Sequence, residues 1–130
     1  MHVELVSPER ILYSGDAEMV ICRTIGGGDI AFLADHAPFL GALDDAIVRI
    51  RKTDGEWEDA AVHGGFVHVR DNSVILLSDL AELASQIDFE RARRDMEDLS
   101  RRVMDTDDAE AEARLRRVHV RIAVQDLVGS

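Results

Sequence analysis

The sequence holds a single cysteine, Cys22, so no internal disulfide can form, and a reducing compartment is the expected setting. Long apolar runs are missing as well. The longest, Ile30–Ala34, falls far short of the ~20 residues that a helix needs to cross a bilayer. The opening Met-His-Val-Glu-Leu has neither a basic start nor an apolar core, so no secretory leader is expected, and any membrane association would come through a partner. Positive charge is scarce: the net charge is −11, which argues against nucleic acid, whose phosphates call for clustered Lys and Arg.

Catalytic patterns are equally thin. None of the five histidines stands in His-x-x-x-His spacing. His63 and His68, five apart in extended chain, would face opposite sides of a regular pleat. Gly26-Gly27-Gly28 is not followed by Gly-Lys-Ser/Thr, so it reads as a tight connection rather than a phosphate loop. Cys22 lacks a nearby histidine and reads as a small core residue, and Ser14-Gly15 has no nucleophile-elbow context. No metal site is expected, and an enzyme acting alone is not.

What is present is organised around Ser78–Ala92. Before it, short segments alternate in twos. Val3-Glu4-Leu5 stops at Ser7-Pro8, and Ala17–Arg23 is expected to put Ala17, Met19 and Ile21 on one face. Asp54-Gly55 predicts a hairpin whose two central residues both take positive φ, and Asp71-Asn72 predicts another. Many short strands at close spacing point to an antiparallel sandwich or barrel.

After the junction the period becomes helical. Ala92, Met96, Leu99 and Val103 recur at four, three and four, and so do Ala111, Leu115, Val118 and Ile122. Ser85 and Asp88 are candidate caps for the first helix. The acids of Asp105–Asp108 suit the start of the second, and Gly129 lies past its end. About forty residues with one narrow, partly Ala seam bury too little surface at ~25 cal/mol per Å² to offset backbone ordering. The pair must lean on the sheet or on another protein. Charge is uneven too: residues 1–87 carry 15 acids and 6 bases, residues 88–130 carry 11 and 9.

Val3–Arg10 with Tyr13-Ser14-Gly15, Gly28–Leu33 followed by His36-Ala37-Pro38-Phe39-Leu40, Gly64–Val69, and Asn72-Ser73-Val74 form an ordered set of motifs. In these, and over nearly its whole length, the chain resembles the epsilon subunit family of bacterial F-type ATP synthases. Ala34-Asp35 departs from the family's usual Pro-Gly. The resemblance implies an α+β fold: an N-terminal antiparallel β-sandwich of about ten strands (1–84), then a C-terminal antiparallel two-helix hairpin (85–130). It implies a non-catalytic rotor-stalk subunit at the cytoplasmic face of the plasma membrane. There it would be bound to gamma and the c-ring, and its helices would reach the alpha/beta catalytic hexamer to restrain ATP hydrolysis.

His36 and the basic cluster Arg114, Arg116, Arg117 and Arg121 are the implied partner-binding residues; the cluster reads equally as a solvated helix face paired with Glu110 and Glu112. Ile87-Asp88-Phe89-Glu90-Arg91-Ala92 matches the family's nucleotide signature. By resemblance Glu82, Asp88, Arg91, Arg117 and Arg121 would contact ATP as a regulatory ligand, although no cofactor is required. Asp98 falls where ATP-binding members carry a basic residue. The plainer reading is that Asp88 caps the helix and pairs with Arg91. A free-standing adaptor with a dimerising tail and an independent ATP sensor are the alternative functions.

Overall fold

Alternating apolar residues build nine strands in the computed structural model, which describes residues 1–105 and 109–128. They are β1 (His2–Val6), β2 (Ile11–Thr24), β3 (Gly28–Leu33), β4 (Phe39–Ala42), β5 (Ala46–Lys52), β6 (Trp57–Val62), β7 (Phe66–Arg70), β8 (Ser73–Leu77) and β9 (Ala81–Leu83). A 3₁₀ turn at Ala84–Gln86 leads to α1 (Phe89–Asp105) and α2 (Ala109–Val128). The α+β sandwich-plus-hairpin architecture is therefore the observed one, with nine described strands where about ten were expected.

Strand order is β4-β7-β8-β1-β2-β5-β6-β9, with β3 also on β2. The long β2 belongs to both layers: its first half pairs with β1 and its second half with β3 and β5. Between the layers lies one core. Val3, Leu5, Val67, Val69, Val74 and Leu76 pack from one side, and Val20, Cys22, Phe32, Val48, Ile50 and Val62 from the other. All pairs are antiparallel except β1 with β8, which run parallel from His2↔Ser73 to Val6↔Leu77.

Two local expectations need correction. Ala17 faces the core, but the residues inside after it are Val20, Cys22 and Thr24, not Met19 and Ile21. The register against β5 shifts between Ala17 and Met19, and one extra residue there reverses the side-chain alternation. At the β5–β6 turn only Gly55 takes positive φ (87°), because the connection is longer than two residues; Lys52 N–H donates to Glu56 O at 2.8 Å. The two-residue turn with both central φ positive is Asp71-Asn72, at 51° and 57°.

The helices pack antiparallel through the expected seam of Ala92, Met96, Leu99 and Val103 against Ala111, Leu115, Val118 and Ile122. Arg93 adds a hydrogen bond from Nη2 to Gln125 Oε1 at 2.7 Å. The hairpin leans on the sheet. α2 carries a second apolar stripe, Val120 and Val124, which the sequence reading missed. With Ile87, Ala84 and Phe89 it covers Ala61 and Ile47 on the outer side of β6 and β5. Ala60 and Val62 point the other way, into the sandwich core. The arm thus sits on a small cluster of its own. Residues 106–108 and Gly129, assigned above to the second helix's start and end, lie outside the described residues. No described helix is long and apolar enough to cross a membrane.

Candidate functional site

β9 pairs antiparallel with the end of β6 and presents Glu82 towards α2. The 3₁₀ turn then brings the chain to Asp88, with Gln86 Oε1 accepting from the Leu83 N–H at 3.0 Å. Asp88 is the N-cap of α1: its Oδ1 accepts the Arg91 backbone N–H at 3.0 Å, and its carbonyl accepts from Ala92 N–H at 3.0 Å. The capping half of the plain reading of Asp88 is therefore seen. Its pairing half needs correction, since the Arg91 guanidinium faces Asp95 Oδ2 at 3.9 Å, one turn on, rather than Asp88.

From the opposite wall, Arg121 Nε donates to Glu82 Oε1 at 2.5 Å, both side chains about 30% exposed. The result is a cleft of about 430 Å³ between β9, the start of α1 and the middle of α2. It brings together all five sequence-predicted nucleotide residues: Glu82, Asp88, Arg91, Arg117 and Arg121. Arg114 joins them at the rim. Arg116 is exposed and lies off the cleft, as does Asp98, whose carboxylate pairs with Arg101 at 3.2 Å.

Two lining residues escaped the sequence reading, Gln86 and Asp95. Asp95 was detectable in principle, because Asp88, Arg91 and Asp95 lie three and four apart on one helical face. Four guanidinium groups against three carboxylates leave the cleft weakly positive on an acidic protein. Such a set suits an anionic ligand with a phosphate end and a donor-rich end.

His36 lies elsewhere, in the β3–β4 loop. It is exposed, its ring meets Phe32 edge-on at 4.9 Å, and Nδ1 lies 2.6 Å from Ala37 O. The departure at Ala34-Asp35 has a structural counterpart: Asp35 takes φ 60°, and its N–H donates to Asn72 Oδ1 at 2.9 Å. Glycine adopts that backbone at no steric cost, and aspartate is among the residues that tolerate it.

His63 follows β6 beside the cleft, its backbone N–H bonded to Leu80 O at 2.9 Å. Both ring nitrogens are sealed from solvent, without a hydrogen-bond partner. Burial, then the charge of Arg121, lowers its pKa from 6.5 to about 4. Cys22, fully buried in the core, has its thiol pushed up to about 11 by burial, with Asp29 adding to the shift. Among the described residues no group of His, Cys, Asp and Glu could hold a metal.

The sequence family described as "ATP synthase, Delta/Epsilon chain, beta-sandwich domain" matches residues 1–84. The ATP synthase epsilon chain of Streptomyces avermitilis is 45% identical over 121 residues, covering 93% of this chain and 97% of that one. That of Streptomyces griseus is 43% identical over the same shares. Among solved structures, a chain of the Euglena gracilis mitochondrial ATP synthase assembly of OSCP, F1 and c-ring superposes with a TM-score of 0.78. It is 18% identical, over 98% of this chain and 80% of that chain, a likeness of fold. With a family match over most of its length and relatives above 40% identical across 93% of it, the chain belongs to the ATP synthase epsilon-chain family.

Proposed function

We propose that this chain is the epsilon subunit of a rotary F1Fo ATP synthase, a non-catalytic part of the central stalk that couples proton flow to ATP synthesis. It is held by gamma against the c-ring at the cytoplasmic face of the membrane. Its helical hairpin restrains ATP hydrolysis by leaving the sheet for the alpha/beta hexamer. The carrying observation is that α2 rests on the sheet through Ala61, Ile87 and Val124, a cluster separate from the sandwich core. An arm seated this way can undock without opening the sandwich.

Surface chemistry supports the mounting. The outer face of β4, β7 and β8 exposes Leu40, Phe66, Ile75 and Leu77 side by side, Phe66 opposite Leu77. A contiguous apolar patch of this kind marks a protein-binding surface, and gamma is its proposed occupant. ATP is the proposed ligand of the Arg-lined cleft, where Arg91, Arg117 and Arg121 would meet phosphate and Glu82 and Asp88 the ribose or adenine. ATP bound there would hold both helices on the sheet. Family membership removes the ground for a free-standing adaptor.

The test is reconstitution of F1 with the full chain and with a chain ending at Ile87. The shortened chain is expected to assemble and support synthesis while hydrolysis rises. Equal hydrolysis by the two complexes would remove the restraining role. Calorimetry of the free chain with millimolar ATP tests the ligand: heat that disappears in Arg91→Ala is expected, and no heat from the unmodified chain ends that reading.

A further inference from the structure

Among the described residues, the imidazole of His63 stands out as a buried polar group without partners. Histidine ordinarily satisfies at least one ring nitrogen, yet both of these are sealed and unbonded. The ring sits where the end of β6 passes under α2, so whatever it requires bears on the seat of the arm. Four charged groups act on it: Arg117 and Arg121 from α2, Asp45 from the β4–β5 turn, and Glu82 from β9. The two arginines oppose a proton on the ring and the two carboxylates favour it. Glu82, however, is already engaged by Arg121.

We propose that His63 is an acid-operated release for the helical arm: a proton on its enclosed imidazole drives α2 off the sheet. With α2 seated, an imidazolium would have both ring nitrogens shut off from solvent, neither N–H satisfied, and would feel the positive charge of Arg117 and Arg121. With α2 displaced, both arginines leave and water reaches the ring. The proton therefore binds the undocked arm better, and by linkage its binding favours undocking.

The sign follows from the lowered pKa. The seated ring stays neutral down to about pH 4, against 6.5 for a free one. Docking is thus fully favoured above the free value and weakens as pH falls from there towards the seated value, by up to roughly tenfold per pH unit. Mild acidification lies inside that window. The inference concerns only the seating of α2 on the sheet, so it stands or falls apart from ATP binding and from assembly with the stalk.

Hydrogen exchange on the full chain, corrected for the pH dependence of the intrinsic rate, provides the test. Between about pH 7.5 and pH 5, protection over residues 109–128 is expected to fall roughly tenfold or more relative to β7 and β8. His63→Gln should flatten that fall. His119→Gln should keep it; His119 lines the outer groove beside Asp45 and is the other imidazole on this interface. An identical fall in the unmodified chain and His63→Gln, or no fall in the unmodified chain, overturns the proposal. Should His63→Gln not fold, an NMR titration of the unmodified chain decides. A His63 midpoint well below the free value supports the release, and one at or above it overturns it.

Discussion

Asp35 and Glu82 show how much single side chains carry here. At φ 60° a Cβ is costly unless the residue tolerates the left-handed region, so the two simplest replacements of Asp35 should diverge. Asp35→Ala is expected to be less stable than Asp35→Gly by about 1 kcal/mol, measured by urea unfolding; equal midpoints would contradict it. The Glu82–Arg121 pair is short but about a third exposed, so it is worth at most about 1 kcal/mol. Its role is to set where α2 lies rather than to hold it. At this scale the cap was legible as one of two candidates: Asp88 caps α1, while Ser85 falls inside the preceding 3₁₀ turn. Asp95 shared a helical face with Asp88 and Arg91 and could have been read from spacing, whereas Gln86 could not, because its place in the cleft depends on how the 3₁₀ turn carries the chain from β9 to α1.

The helical elements were legible to the residue in their shared seam, since four-three-four spacing leaves one face to bury. The second stripe on α2 was overlooked because Val120 and Val124 lie off that seam and its partner, Ala61, sits in a strand that also feeds the main core. In the strands, the register shift after Ala17 could not be read from alternation, which reverses silently when one residue is inserted. Val124→Ala is expected to weaken docking of α2 by about 2 kcal/mol, from lost burial and the cavity it leaves. Hydrogen exchange over residues 109–128 should rise while β7 and β8 keep their protection. Loss of protection in both would mean that arm and sandwich open together.

For the whole molecule, the exposed face of Leu40 (69%) and Phe66 (57%) belongs to the sandwich, away from the arm's seat on β5 and β6. Leu40→Asp with Phe66→Asp should leave thermal unfolding nearly unchanged but abolish co-purification with gamma; retained co-purification would place the mount elsewhere. Sandwich and hairpin were foreseeable from pattern and resemblance, but the pairing of the first strand with β8 was not, since local sequence does not encode contacts between distant segments. That pairing has a consequence for how the protein is made. His2 must wait for Ser73 before β1 is flanked on both sides, so the nascent chain leaves the ribosome with one border of its first hairpin open. A chain cut short before residue 73 would leave a sticky, incomplete sheet that chaperones must shield, whereas one released after β9 would already hold every described strand pairing.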